Sequence, residues 1–161
     1  YRLGDLYRIR GDLDGAEALF QDSLNRIRPF NYKLGIACGL HKLAQVARIK
    51  AESQIAKQNL REALALQAEV SNKQGIVECL AALGGVALDE GKSETGFRLL
   101  AVAESLLAEL GAPLSPPDND QFLRDQATAR LALGDNAVPL GMKSGEQLNW
   151  EQAVELGLRM W

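Results

Sequence analysis

Apolar side chains recur along this chain at helical spacing, in a unit that is used three times. Between Lys73 and Leu110, Leu80, Leu83, Gly84 and Ala87 share one face of a helix, Glu90-Gly91-Lys92 interrupts the pattern, and Leu99, Leu100, Ala103 and Leu107 form a second stripe. The unit therefore reads as helix, tight turn, helix. Superposing Gly4, Ala44 and Gly84 brings two further copies into register at a spacing of 40 residues. Leu3-Gly4-Asp5-Leu6-Tyr7, Leu43-Ala44-Gln45-Val46-Ala47 and Leu83-Gly84-Gly85-Val86-Ala87 fill the same slots, and Gly11, Ala51 and Gly91 follow at the turn. Farther on, Ala16, Ala56 and Gly96 coincide, as do Phe20, Leu60 and Leu100, then Ser23, Ala63 and Ala103. Each second helix thus carries a small-large-small seam, which lets two helices approach closely. The pattern predicts first helices near 1–10, 34–50 and 73–89 and second helices near 13–28, 53–70 and 93–110.

Beyond Leu110 the repeat stops. Gly111 sits where a helix C-cap belongs, and Pro113, Pro116 and Pro117 oppose continuation. Asp118 is read as the cap of a helix running to about Leu133, with Phe122, Leu123, Ala127, Arg130 and Leu131 on one face and Gly134 at its end. The stretch from Asp135 to Gly145 is weakly helical at best, given Pro139, Gly141 and Gly145. Asn149 and Gln152 make a capping pair for a last helix, which lines up Trp150, Ala153, Val154, Gly157, Leu158 and Trp161. Because a helical array exposes the apolar side of its terminal repeat, residues 111–161 are expected to be a folded cap over Leu99, Leu106 and Leu110.

The repeated slots resemble the tetratricopeptide repeat, whose signature is Trp, Leu-Gly and Tyr in the first helix and Ala, Phe, Ala and Pro in the second. The first copy matches best, through Leu3, Gly4, Tyr7, Ala16 and Phe20, and its Trp would fall just before Tyr1, so the first helix is expected to be truncated. The chain departs from the usual repeat of about 34 residues. It holds Arg28, Ala68 and Ala108 in the Pro slot and Ala47 and Ala87 in the Tyr slot. Six extra residues lengthen the helices by about 9 Å in all. The resemblance implies an all-α fold: a tetratricopeptide-like α-solenoid of antiparallel helix pairs, with three repeats in 1–110 and capping helices in 111–161.

A second resemblance lies toward the end. Leu83 to Ala87, the Glu90-Gly91-Lys92 turn, the Leu99 to Leu107 helix, Glu109-Leu110-Gly111-Ala112-Pro113-Leu114-Ser115-Pro116-Pro117 and Trp150-Glu151-Gln152-Ala153-Val154 look like the extreme C-terminus of large bacterial signalling ATPases. These include LuxR-type and related transcriptional regulators of the STAND class. The resemblance implies a non-catalytic module for protein interaction or effector sensing. It also implies a piece of a multidomain cytoplasmic regulator whose nucleotide-binding and DNA-binding domains lie upstream.

Composition agrees with helices. Of 161 residues 47% are hydrophobic and only 6% aromatic, and Ala and Leu outnumber β-branched residues, which favours packed helices over sheets. A net charge of -3 provides no general attraction to nucleic acid, and there is no basic recognition helix. No apolar run approaches the roughly 20 residues that span a bilayer. Two cysteines, Cys38 and Cys79, are too few for a disulfide framework and suit a reducing compartment.

Catalytic readings fare poorly against the same residues. Gly91-Lys92-Ser93 imitates the end of a phosphate-binding loop, but Val86 holds the first Gly slot and sits in a helical pattern, so a turn with Ser93 as helix N-cap is expected. His41 is the only histidine, which rules out a multi-histidine metal site; Cys38, three residues before it, has neither an orienting acid nor a Gly-rich elbow. Asp118, Asn119 and Asp120 lack the alternation of a calcium loop. No cofactor or metal is expected.

Binding by surface remains. In tetratricopeptide arrays the first helices line the concave face, and the resemblance places Tyr1, Asp5 and Arg8, then Cys38, His41, Gln45 and Arg48, then Glu78 there. Arg8 and Arg48 share a slot and could grip a carboxylate or phosphate, or could pair with neighbouring acids. The expected partners are a protein, peptide or small effector and the upstream domains of the same polypeptide. A small-molecule enzyme on the same helical array is the alternative.

Overall fold

The computed structural model describes residues 1–136 and 148–159, and among them there is no strand. Eight α-helices are described: α1 (Arg2–Ile9), α2 (Leu13–Ile27), α3 (Lys33–Ile49), α4 (Ser53–Glu69), α5 (Lys73–Asp89), α6 (Ser93–Leu110), α7 (Pro116–Leu133) and α8 (Trp150–Arg159). The first six agree with the register-based boundaries to within about two residues, the usual uncertainty of a helix end. Expectations resting on Pro139, Gly141, Gly145 and Trp161 lie outside the described residues.

The chain divides into two compact units, Tyr1–Ser71 and Asn72–Trp161. In the first, α1 packs on α2, α2 on α3 and α3 on α4; in the second, α5 packs on α6, both contact α7, and both contact α8.

The turns within the three helix pairs are built alike. After α1, Gly11 N–H donates to the Arg8 carbonyl at 3.1 Å and Asp12 N–H to Tyr7 at 3.0 Å. After α3, Ala51 donates to Arg48 at 3.0 Å and Glu52 to Ala47 at 2.8 Å; after α5, Gly91 donates to Leu88 at 2.9 Å and Lys92 to Ala87 at 2.8 Å. This is the Schellman arrangement, which satisfies the last carbonyls of a helix and requires a left-handed residue. Gly11, Ala51 and Gly91 have φ of 83°, 59° and 77°. A second set recurs at the same spacing, with Asn31, Ser71 and Gly111 at φ of 50°, 54° and 67°. Ala51 therefore holds a conformation that costs an L-residue roughly 1–2 kcal/mol, offset in part by the greater unfolded-state freedom of glycine. Ala51→Gly is expected to stabilise the chain by about 0.5–1 kcal/mol, read from the midpoint of urea unfolding.

Small residues set how closely each pair packs. A Cβ on Gly4 would meet the Phe20 ring at 2.4 Å, and one on Gly96 would lie 2.9 Å from the Gly84 carbonyl oxygen. The middle pair has Ala44 and Ala56 at these slots, both buried. An ion pair also repeats in register: Lys33–Glu69 at 2.7 Å joins α3 to α4, and Lys73–Glu109 at 3.7 Å joins α5 to α6.

Several local expectations need correction. Ser93 is the first residue of α6, not its cap; the cap position is Lys92, without a side-chain bond, whereas Asp12 caps α2 by accepting from Gly15 N–H at 2.9 Å. Asp118 does not cap α7. Pro116 and Pro117 open that helix behind Ser115, where a missing N–H and a fixed φ suit the first turn, and the Ser115 hydroxyl donates to Asp118 at 2.6 Å. The buried face of α7 is Phe122, Asp125, Gln126 and Ala129, not the stripe through Leu123, Ala127 and Leu131, of which Leu131 is 85% exposed. The Asn149 and Gln152 pair does cap α8 reciprocally, at 3.0 and 2.9 Å. On α8 Ala153 and Gly157 are buried, while Trp150, Val154 and Leu158 are half-buried. The indole N–H of Trp150 donates to Glu109 at 2.8 Å, and the Lys73 ammonium lies 4.6 Å from its ring centroid, so this ring seals an edge.

Candidate functional site

Most of the residues singled out from the sequence meet on α1 and α3 of the first unit. Tyr1 lies against α3: its hydroxyl donates to the Gly35 carbonyl at 2.6 Å, and a Cβ on Gly39 would come within 2.6 Å of that oxygen. Its ring centroid is 6.2 Å from that of Phe20. Burial of the phenol, with Cys38 nearby, pushes its pKa up to about 12, so it is a neutral donor at any physiological pH.

One turn along α1, Asp5 stands between two cations. Its Oδ1 lies 3.2 Å from Lys42 of α3 and 3.6 Å from Arg8 of its own helix. All three side chains are largely covered, and Arg8 Nε is shielded from solvent without a hydrogen bond. Two cations facing one carboxylate leave an excess positive charge, and a shielded guanidinium N–H is a donor suited to an oxyanion. Lys42 was missed in the sequence because its backbone slot falls beside the predicted face; its four-carbon stem brings the ammonium across to α1. Of the remaining candidates on α3, Cys38 is exposed, His41 is buried, and Gln45 and Arg48 are half-buried. Glu78 belongs to the second unit, where Gln74 donates to it at 3.3 Å. Arg8 is thus engaged by an acid of its own helix.

A second charged junction binds α2 to α3. Lys50 donates to Asp14 at 2.5 Å and to Glu17 at 2.6 Å. These carboxylates raise the Lys50 pKa, and the same contact lowers that of Asp14. In the second unit, a groove of about 320 Å³ between α6 and α7 has Phe97 and Leu100 in its wall and Glu104, Ser105, Gln126 and Arg130 as its polar lining. It forms where α7 presents Gln126 and Arg130 to α6.

Compared with protein-family models, curated proteins and solved structures, the chain matches none. Among the described residues no cluster of His, Cys, Asp and Glu is placed to hold a metal ion, and no helix is long and apolar enough to cross a membrane.

The phosphate-loop imitation at Gly91-Lys92-Ser93 is a Schellman turn between two helices, and Lys92 Nζ pairs with Glu90 at 2.7 Å. Lys92→Ala is expected to leave the unfolding midpoint within about 0.5 kcal/mol of the parent, as for an exposed surface substitution. The parent should show no saturable binding of ATP by calorimetric titration. ATP binding that disappears with the lysine would contradict this assignment.

Proposed function

We propose that the chain is a tetratricopeptide-like α-solenoid of antiparallel helix pairs, a non-catalytic module that binds a protein, a peptide or a small effector. The observation that carries this reading is the 40-residue register, which recurs in the helix boundaries, in both sets of left-handed turns and in the Lys33–Glu69 and Lys73–Glu109 pairs. Stacked repeats of this kind present extended surfaces whose use is recognition. The α1 and α3 face, with Asp5, Arg8, Lys42 and the neighbouring Gln45 and Arg48, is the surface we assign to the ligand, and its excess of cations favours one bearing a carboxylate. On the likeness of Leu83 to Ala87 and of Glu109 to Pro117 to the ends of bacterial STAND and LuxR-type regulators, we place the module at the C-terminal end of such a cytoplasmic polypeptide, signalling to its upstream domains.

Selection of peptides against the immobilised chain, followed by calorimetric titration, tests the binding role. Peptides are expected to bind saturably, with affinity falling about tenfold or more, roughly 1.4 kcal/mol, in Arg8→Ala and Lys42→Ala, while the helical circular dichroism stays unchanged. Peptides that bind both variants as tightly as the parent would place recognition elsewhere.

A further inference from the structure

Gln126 is buried without a partner. Among the described residues the buried polar side chains are His41, Gln67, Asp125 and Gln126. The first three each engage another group of the chain, Asp125 by accepting from Gln121 at 2.9 Å. Gln126, only 6% exposed, makes no hydrogen bond among the described residues. Its amide atoms are not sealed off, so the little surface that it keeps reaches them, and Gln126 lines the groove between α6 and α7. A covered amide of this kind weighs against folding unless something outside the chain bonds to it.

The rest of the groove has matching chemistry. One turn on from Gln126, Arg130 lines the α7 wall, and Glu104 and Ser105 line the wall from α6. Arg130 and Glu104 form no ion pair among the described residues, either with each other or with a neighbour. The apolar lining is Phe97, Leu100 and Ala101, at helical spacing along α6. All of these residues lie within 97–130, away from either end of the sequence. A volume of about 320 Å³ is at the small end of ligand sites, which run from roughly 300 to 1,000 Å³, and suits one small molecule rather than a helix.

We propose that this groove binds a free apolar α-amino acid, with the carboxylate on Arg130 and the Gln126 amide, the ammonium on Glu104 and the side chain against Phe97, Leu100 and Ala101. A ligand of single charge fits worse, since an acid alone meets Glu104 as a like charge and an amine alone meets Arg130. The site shares no residue with the α1 and α3 face, so either can fail without the other.

The probes are L-phenylalanine and L-leucine, titrated into the full chain by calorimetry. Saturation with a Kd of about 1 mM or below is expected for at least one of them. Gln126→Met, which keeps the volume and removes the amide, should weaken binding at least tenfold and yet leave the unfolding midpoint unchanged or raised, because the amide has no protein partner to lose. Glu104→Gln should weaken L-phenylalanine but tighten phenylpropionate, which lacks the ammonium, and Arg130→Gln should weaken it but tighten phenethylamine, which lacks the carboxylate. Arg8→Ala/Lys42→Ala should bind as the parent does. Three results would overturn the proposal: no saturation by either amino acid up to about 10 mM; equal affinity in the parent and Gln126→Met; or Gln126 amide protons that exchange slowly in the ligand-free chain, which means that the chain itself fills the groove.

Discussion

A chain cut after Gly111 is expected to lose the independent stability of its second unit. The cut removes α7 and α8, and with them Leu114, Phe122, Ala129 and Ala153, all buried in the intact chain. These helices lie against α5 and α6, where Leu99, Leu100 and Leu106 are buried. Each large side chain returned to water forfeits roughly 1.5–3 kcal/mol, and a domain's whole stability is about 5–15 kcal/mol. The truncated chain should aggregate or bind a hydrophobic dye, with a reduced cooperative unfolding signal. A truncated chain that stays monomeric with an unchanged midpoint would show that the tail is no cap. Within the tail the tryptophan is a minor contributor. Because Trp150 is half-buried at an edge, Trp150→Ala should fall well short of the roughly 3–5 kcal/mol that a core ring costs.

Phe20→Ala should be the most damaging single truncation in the first unit, at about 3–5 kcal/mol by denaturant titration. The ring is fully buried, fills the space that Gly4 leaves on α1, and is the neighbour of the Tyr1 ring. Collapse into the vacancy is hindered, since it lies between two helices whose separation is set by Gly4 and Ala16. A loss below about 1 kcal/mol would mean that α1 is not held by this ring.

The helices of the repeat could be read from the sequence because apolar stripes of helical period are interrupted at a fixed spacing and each second helix carries a small-large-small seam. Glycine marks three of the six left-handed turns, at Gly11, Gly91 and Gly111, whereas Ala51 and Ser71 carry no such mark, and only the spacing from the glycines reveals them. On α7 apolarity alone does not define the buried face: Phe122 is buried, but Leu123 and Leu131 are exposed and Asp125 and Gln126 are covered. Asp125 is buried there because the Gln121 amide donates to it at 2.9 Å, and a polar group with a partner can occupy an interface that its type would not suggest. Sequence spacing found the slots of Asp5 and Arg8 but not their electrostatics, which depend on how far Lys42 reaches from a neighbouring slot.

The central claim is that one helix pair recurs at an offset of 40 residues, and a crystal structure of the full chain tests it most directly. Superposition of residues 3–28, 43–68 and 83–108 should bring the three pairs into coincidence. Ala51 should be left-handed like Gly11 and Gly91, and Ser71 like Asn31 and Gly111. A pair that superposes only at another offset, or a right-handed Ala51 with its Schellman bonds absent, would contradict the claim.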